Sequence, residues 1–146
     1  MPPIPPHCPR DQMTVSRCET MAVRSQQDVV AVRQNVRSLA VAQGLSLVDQ
    51  TKIVTAASEL ARNTLDHGGG GTARLEAVSM NGRPGLRLTF EDRGPGIADI
   101  ALALTDGFTT GGGLGLGLGG AKRLSNDFDL WSRAGEGTRV TITKWK

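Results

Sequence analysis

Residues 72–91 read TARLEAVSM, then Asn81-Gly82, then RPGLRLTFE. Residues 72–80 and 85–91 each read as a strand, and Asn-Gly between two such runs is a strong hairpin signal. A hairpin at this place decides the architecture, because what surrounds it is not a strict strand–helix–strand alternation. Upstream, Ser46-Leu-Val-Asp49 reads as a capped helix start. Ile53, Ala57, Leu60 and Thr64 then carry one apolar face to about His67, where Gly68 stops the helix. Before it, Ser25-Gln-Gln-Asp28 opens another helix. Val29, Val32, Val36 and Leu39 form its apolar face, and Gly44 stands where it should end. Residues 13–23 partly alternate and read as an edge strand, and residues 1–12 read as a loose Pro-rich tail.

Downstream of the hairpin, residues 98–104 suggest a short helical turn. Residues 107–120 hold too much glycine to be regular throughout. A third helix is expected to start among the last of these glycines and run to about Leu124. Residues 127–133 and 138–145 read as closing strands, turned by Gly135-Glu136-Gly137. The predicted fold is therefore α+β: a two-layer sandwich with a mixed, largely antiparallel sheet and helices on one face.

The chain has 146 residues, enough for one domain, here 13–146. Hydrophobic residues at 38% and charged residues at 21% give a globular balance. Aromatics at 3%, with no Tyr, argue against a stacking single-strand binder and against an aromatic-paired all-β domain. The formal charge of +3 is spread without a basic run, so nucleic acid is not signalled, while an anionic nucleotide suits a modest positive field. Cys8 and Cys18 show neither metal spacing nor a disulfide framework, which fits a reducing cytoplasm. His7 beside Cys8 reads as a solvated tail residue. The first residues lack the features of a signal peptide, and no apolar run approaches the ~20 residues of a membrane helix. Glycine is the uneven residue: 19 in all, ten of them between Gly94 and Gly120, and four more from Gly68 to Gly71.

Three segments carry candidate chemistry. On the second helix, Glu59, Asn63 and His67 recur at steps of four and share a face. They form either an ordinary solvated edge, or a carboxylate and an amide that serve one ligand, Asn63 offering a neutral oxygen to a hard cation and Glu59 handling a proton. Glu91-Asp92-Arg93-Gly94-Pro95-Gly96-Ile97 closes a strand. It is either a plain turn or a base-recognition corner, in which Asp92 accepts from an exocyclic amine and glycine admits the ligand to the backbone. The run from Gly107 to Gly120 is either a linker or a phosphate-facing loop. Its regular Leu114, Leu116 and Leu118 speak against a linker. Gly115, Gly117 and Gly120 match G-x-G-x-x-G, but no buried strand precedes them, and Ala121 stands where a Walker lysine would be.

In this order and spacing the three segments resemble the N, G1 and G2 boxes of the GHKL ATPase superfamily, whose nucleotide fold is the Bergerat sandwich: ELARN at 59–63, EDRGPGI at 91–97 and GGGLGLGL at 111–118. Gly135-Glu-Gly-Thr138 resembles the superfamily's final glycine-threonine element. The length points to the small anti-sigma regulatory serine/threonine kinases, of the switch-kinase type found in stressosomes. The resemblance implies ATP and Mg²⁺ as cofactors. Asn63 would coordinate the Mg²⁺ and Glu59 would act as general base. Asp92 would bind the adenine amine, helped by a water near Thr138. Gly94 and Gly96, with Ile97 closing the box, would seat the base. Arg62 and His67 would touch phosphate or lid. A lid from Gly107 to Gly119 would cradle the phosphates through Gly107, Thr109, Thr110, Gly113, Leu114, Gly115, Leu116 and Gly117. The implied substrate is a STAS-domain antagonist, with a PP2C-type phosphatase or a sigma factor as further partner. No nucleic acid or membrane is implied, and the chain would be a cytoplasmic monomer or homodimer. The alternative is an ATP-dependent anti-sigma factor that holds a sigma factor directly.

Overall fold

Asn81 and Gly82 turn the chain with φ values of 53° and 79° in the computed structural model, which describes residues 13–97 and 117–146. Positive φ at both positions is what a two-residue hairpin requires to match strand twist. The strands it joins are β2 (Gly71–Met80) and β3 (Arg83–Asp92), paired antiparallel from Met80 opposite Arg83 to Gly71 opposite Asp92. The second strand begins two residues earlier than its sequence suggests. Pro84 lies beyond the ladder that β3 makes with its other neighbour, which begins at Gly85. At a strand end the missing proline N–H costs no ladder bond.

The other elements are β1 (Met13–Val23), α1 (Gln26–Ala42), α2 (Leu47–Asp66), α3 (Gly117–Leu124), β4 (Asp127–Arg133) and β5 (Gly137–Trp145). The five strands form one sheet in the order β1-β2-β3-β5-β4, antiparallel at every described interface, with β1 at an edge as expected. The short turn expected at 98–104 and the tail at 1–12 lie outside the described residues.

Both long helices start where serine satisfies an orphan N–H. Ser25 Oγ accepts from Asp28 N–H at 3.1 Å, and Ser46 Oγ accepts from Asp49 N–H at 3.1 Å. Their apolar stripes then face the sheet. Val32, Val36, Ile53, Ala57 and Leu60 pack against Ala73, Leu75, Leu86, Leu88, Phe90, Val140 and Ile142, all buried. Each large side chain taken out of water here stabilises the fold by about 1.5–3 kcal/mol before entropy is counted. The opposite sheet face is polar and ordered by cross-strand pairs. Arg87 donates to both oxygens of Glu76 at 2.9 and 3.0 Å, and the Thr89 and Thr141 hydroxyls bond at 3.3 Å.

One row of the register positions the site. Gly71, Asp92, Thr138 and Ser132 stand side by side on β2, β3, β5 and β4. The turn that leaves α2 comes down on this end of the sheet.

Candidate functional site

α2 ends over Asp92. His67 caps the helix, and the N–H groups of His67 and Gly68 both donate to Asn63 O, at 2.9 and 3.2 Å. Gly70 N–H donates to Thr64 O at 2.9 Å. Gly68 then passes so close to the next strand that a Cβ there would fall on the Asp92 carboxyl group. Gly94 returns the approach from the other side: its Cβ would lie 2.7 Å from Gly68 Cα. Only glycine lets helix end, strand end and following turn close around one carboxylate.

Asp92 is half-buried in this corner. Its Oδ1 accepts from Gly94 N–H at 2.9 Å. Burial raises its pKa above the ordinary carboxylate value. The backbone N–H groups of Gly94 and Thr138 and the nearby His67 pull the other way and only partly compensate. A carboxylate held in this way is poised to accept from a ligand N–H, an interaction that strengthens as the ligand excludes water.

Beside Asp92 a small network fixes the next turn. Ser132 Oγ accepts from Ile97 N–H at 2.8 Å, donates to Gly137 O at 3.1 Å, and lies 2.9 Å from Thr138 Oγ1. Either hydroxyl can donate across the Ser132–Thr138 contact, and Thr138 Oγ1 retains a lone pair to accept from a water. Gly96, at φ 78°, brings its turn against the backbone of Arg133. Sequence reasoning missed Ser132. Its place beside Thr138 comes from the β4–β5 register and shows in no local pattern.

Glu59, Asn63 and His67 follow one another along α2 from buried to open: Glu59 is buried, Asn63 is half-buried and His67 is exposed. The side chain of Glu59 is only 4% exposed, and its Oε1 accepts from Arg62 Nη1 at 3.3 Å, one turn on. An ordinary solvated helix edge would not bury a glutamate. Arg62 thus stands against Glu59 and neutralises it. Among the described residues the Asn63 amide makes no side-chain hydrogen bond, so its oxygen is available to a ligand. Among the same residues no cluster of three or more His, Cys, Asp or Glu forms a metal cage. One neutral oxygen on a half-open helix face suits a cation that arrives with phosphates and waters as its main ligands.

Gly117 does not sit in a loop: it is the first residue of α3, buried, at φ 56°. Leu118, Gly119 and Gly120 continue that helix against α2. Gly117, Gly119 and Gly120 are all buried in it. Gly107, Thr109, Thr110, Gly113, Leu114, Gly115 and Leu116 lie outside the described residues.

A two-layer sandwich with a buried acid and an amide on one helix, facing a strand-end carboxylate between glycines, is the plan of a nucleotide-binding ATPase domain. The chain belongs to the histidine kinase-, DNA gyrase B- and HSP90-like ATPase family, whose model matches residues 48–146. Within that family it is a kinase of the RsbT type. It is 48% identical over 123 residues to the serine/threonine-protein kinase RsbT of Bacillus subtilis strain 168, covering 84% of this chain and 92% of that protein. Two solved structures share the fold. The RsbU and RsbW domains of a Mycobacterium tuberculosis protein superpose with a TM-score of 0.60 at 20% identity, over 90% of this chain and 33% of that one. The histidine kinase domain of a blue-light activated kinase from Erythrobacter litoralis superposes with a TM-score of 0.51 at 20% identity, over 80% of this chain and 59% of that one.

Proposed function

We propose that this ATP-using serine/threonine kinase transfers the γ-phosphoryl group of Mg-ATP to a hydroxyl of a STAS-domain protein and thereby switches partners in a sigma-factor-controlling stress pathway. The observation that carries the reading is the placing of buried Glu59 one turn before half-buried Asn63, on the helix whose end closes over Asp92. A PP2C-type phosphatase is the partner such a switch would release or activate, and the cytoplasm is where it would act. Among the described residues no helix is long and apolar enough to cross a membrane.

In this reading Asp92 accepts from the adenine amine, and Thr138 with Ser132 orders the water beside it. Gly94 and Gly96 leave the ring room against the backbone. Asn63 would hold the magnesium ion, which would supply positive charge to offset that of the phosphates. Glu59 takes the proton from the attacking serine or threonine hydroxyl, whose oxygen forms the new bond to the γ-phosphorus as the bond to the β-phosphate oxygen breaks. Arg62 holds the Glu59 carboxylate, and Arg62 and His67 touch phosphate or lid in this reading. The glycine-rich stretch 107–116 is assigned to the phosphates on its sequence alone. Phosphoryl transfer asks mainly for positioning and charge neutralisation, and this set supplies both. Direct capture of a sigma factor is not favoured, because 48% identity over most of the chain runs to a serine/threonine-protein kinase.

The test is to add the protein and γ-labelled Mg-ATP to a dephosphorylated extract of its own source. The expected result is one small STAS-domain protein labelled on serine or threonine. Label on no STAS-domain protein, with ATP still bound, contradicts the substrate assignment.

A further inference from the structure

The sheet face turned away from the helices carries Val78 on β2, Thr89 on β3, Thr141, Thr143 and Trp145 on β5, and Trp131 on β4, by alternation from the core residues beside them. α1 and α2 pack on the opposite face and α3 packs on α2, so among the described residues no helix covers this side. An antiparallel sheet with one open face keeps that face solvated. Here the middle of the face is dry. Thr89, Thr141 and Thr143 are at most 2% exposed, and Val78 and Trp145 are buried although neither belongs to the core under the helices.

Trp145 shows what kind of cover the face takes. One side of its ring rests on Gly85, where a Cβ would fall 2.6 Å from the ring carbon Cε3. Its Nε1 donates to Asp127 Oδ2 at 3.0 Å, which fixes the edge of the indole. The other side of the ring is then a flat apolar plate facing away from the strands. Such plates bind polyproline II segments, whose prolyl rings lie flat on an aromatic and whose stiffness keeps the entropy cost of docking low. The chain has two Trp and no Tyr, and both Trp stand on this face.

The chain also carries a segment of the matching chemistry. Five of its seven prolines fall in the first nine residues, MPPIPPHCP. This segment leads into β1 on the right side of the sheet: Met13, the first residue of β1, reaches across β2, and Arg87 Nη1 on β3 donates to its Sδ at 3.0 Å. The length fits as well. β5 is three strands from β1, about 14 Å at ~4.8 Å per strand. At ~3.1 Å per residue a polyproline II chain sets Pro9 about 12 Å and Pro6 about 22 Å from Met13, on either side of that distance. The stretch 98–116 is the poorer candidate, because it leaves from Ile97 and returns to α3, both packed on the core side.

We propose that the sheet face opposite the helices is a polyproline-binding surface, and that residues 1–12 of the same chain occupy it, with Pro6 to Pro9 over the ring of Trp145. The inference is independent of the kinase reading, since it uses no residue of the nucleotide site.

The test uses the full chain. In a Trp131→Phe background the indole emission comes from Trp145 alone. Replacing Pro2, Pro3, Pro5, Pro6 and Pro9 together by Ser should shift that emission to the red and increase its quenching by acrylamide, with ATP affinity unchanged. Emission and quenching that stay the same overturn the proposal. A second measurement reads the place of the tail directly. With Cys18→Ser, a nitroxide on Cys8 should broaden the indole N–H resonance of Trp145 in a ¹⁵N-labelled chain, and the five Pro→Ser changes should relieve the broadening. A resonance that stays sharp overturns the proposal. So does broadening that arises only when spin-labelled chains are mixed with separate ¹⁵N-labelled ones, which would give the face to the tail of a second copy. Should the five changes disturb the fold, the nitroxide measurement on the chain with all its prolines decides the matter.

Discussion

At the residue scale, Asp92 combines a structural cost with a proposed binding role. Its burial raises the carboxyl pKa. The native state therefore holds its proton more tightly than the unfolded chain does. Stability from this group is full below the ordinary carboxylate pKa, and it falls as pH rises through the window up to the raised native value. Asp92→Asn should thus make the ATP-free protein more stable to heat at neutral pH, while Gly94 N–H keeps an oxygen to donate to. The same substitution should weaken ATP binding by roughly ten- to a hundredfold, the loss of a charged hydrogen bond of about 1.5–3 kcal/mol. Calorimetric titration beside thermal denaturation checks both halves. Binding by the wild type should also weaken as acid protonates Asp92, beginning above the usual carboxylate range. Ser132→Ala should cost about 1 kcal/mol of ATP affinity, because Ile97 N–H loses its acceptor and Thr138 its partner. Unchanged affinity would remove this network from the site.

At the element scale, the turn between α2 and β2 couples fold to site. A methyl group at Gly68 has nowhere to go but into Asp92. Gly68→Ala should destabilise the protein by roughly 1–3 kcal/mol, as overpacking does, and should abolish tight ATP binding at the same time. Denaturant unfolding and nucleotide titration of one variant would show whether the two losses travel together. The elements that were legible in the sequence are those decided locally. Ser25 and Ser46 cap helices, Asn81-Gly82 makes a two-residue turn, and the steps of three and four from Val29 to Leu39 mark one helix face. The start of β3 at Arg83 rather than 85 was not legible, because a proline at position 84 is tolerated only where the neighbouring ladder begins later, a property of β5. A helix start among the last glycines was legible, but not its position: the lid expected to reach Gly119 overlaps α3, which begins at Gly117, because glycine's low helix propensity hid the boundary.

At the scale of the whole molecule, the candidate site was legible as a set of blocks but not as a place. Glu59 and Asp92 are 33 positions apart in the chain, and only the register Gly71–Asp92–Thr138–Ser132 together with the fall of α2 onto it brings the blocks together. Ser132 belongs to that row through strand pairing alone, so no local pattern announced it. Because the site joins α2 to three strands, a bound nucleotide should stabilise the entire domain. At a hundredfold excess over its dissociation constant, Mg-ATP should add about 2.7 kcal/mol to global stability, and the gain should be much smaller in Asp92→Asn.

The central claim is that the acid on α2 serves phosphoryl transfer rather than nucleotide binding. Single-turnover transfer from γ-labelled Mg-ATP to the substrate protein, with Glu59→Ala beside the wild type at matched ATP occupancy, tests it most directly. The expected result is ATP affinity within a few-fold of wild type and a transfer rate lower by roughly 10²–10⁴, the contribution of a positioned general base. Transfer at the wild-type rate by Glu59→Ala would contradict the claim and return Glu59 to a structural role beside Arg62.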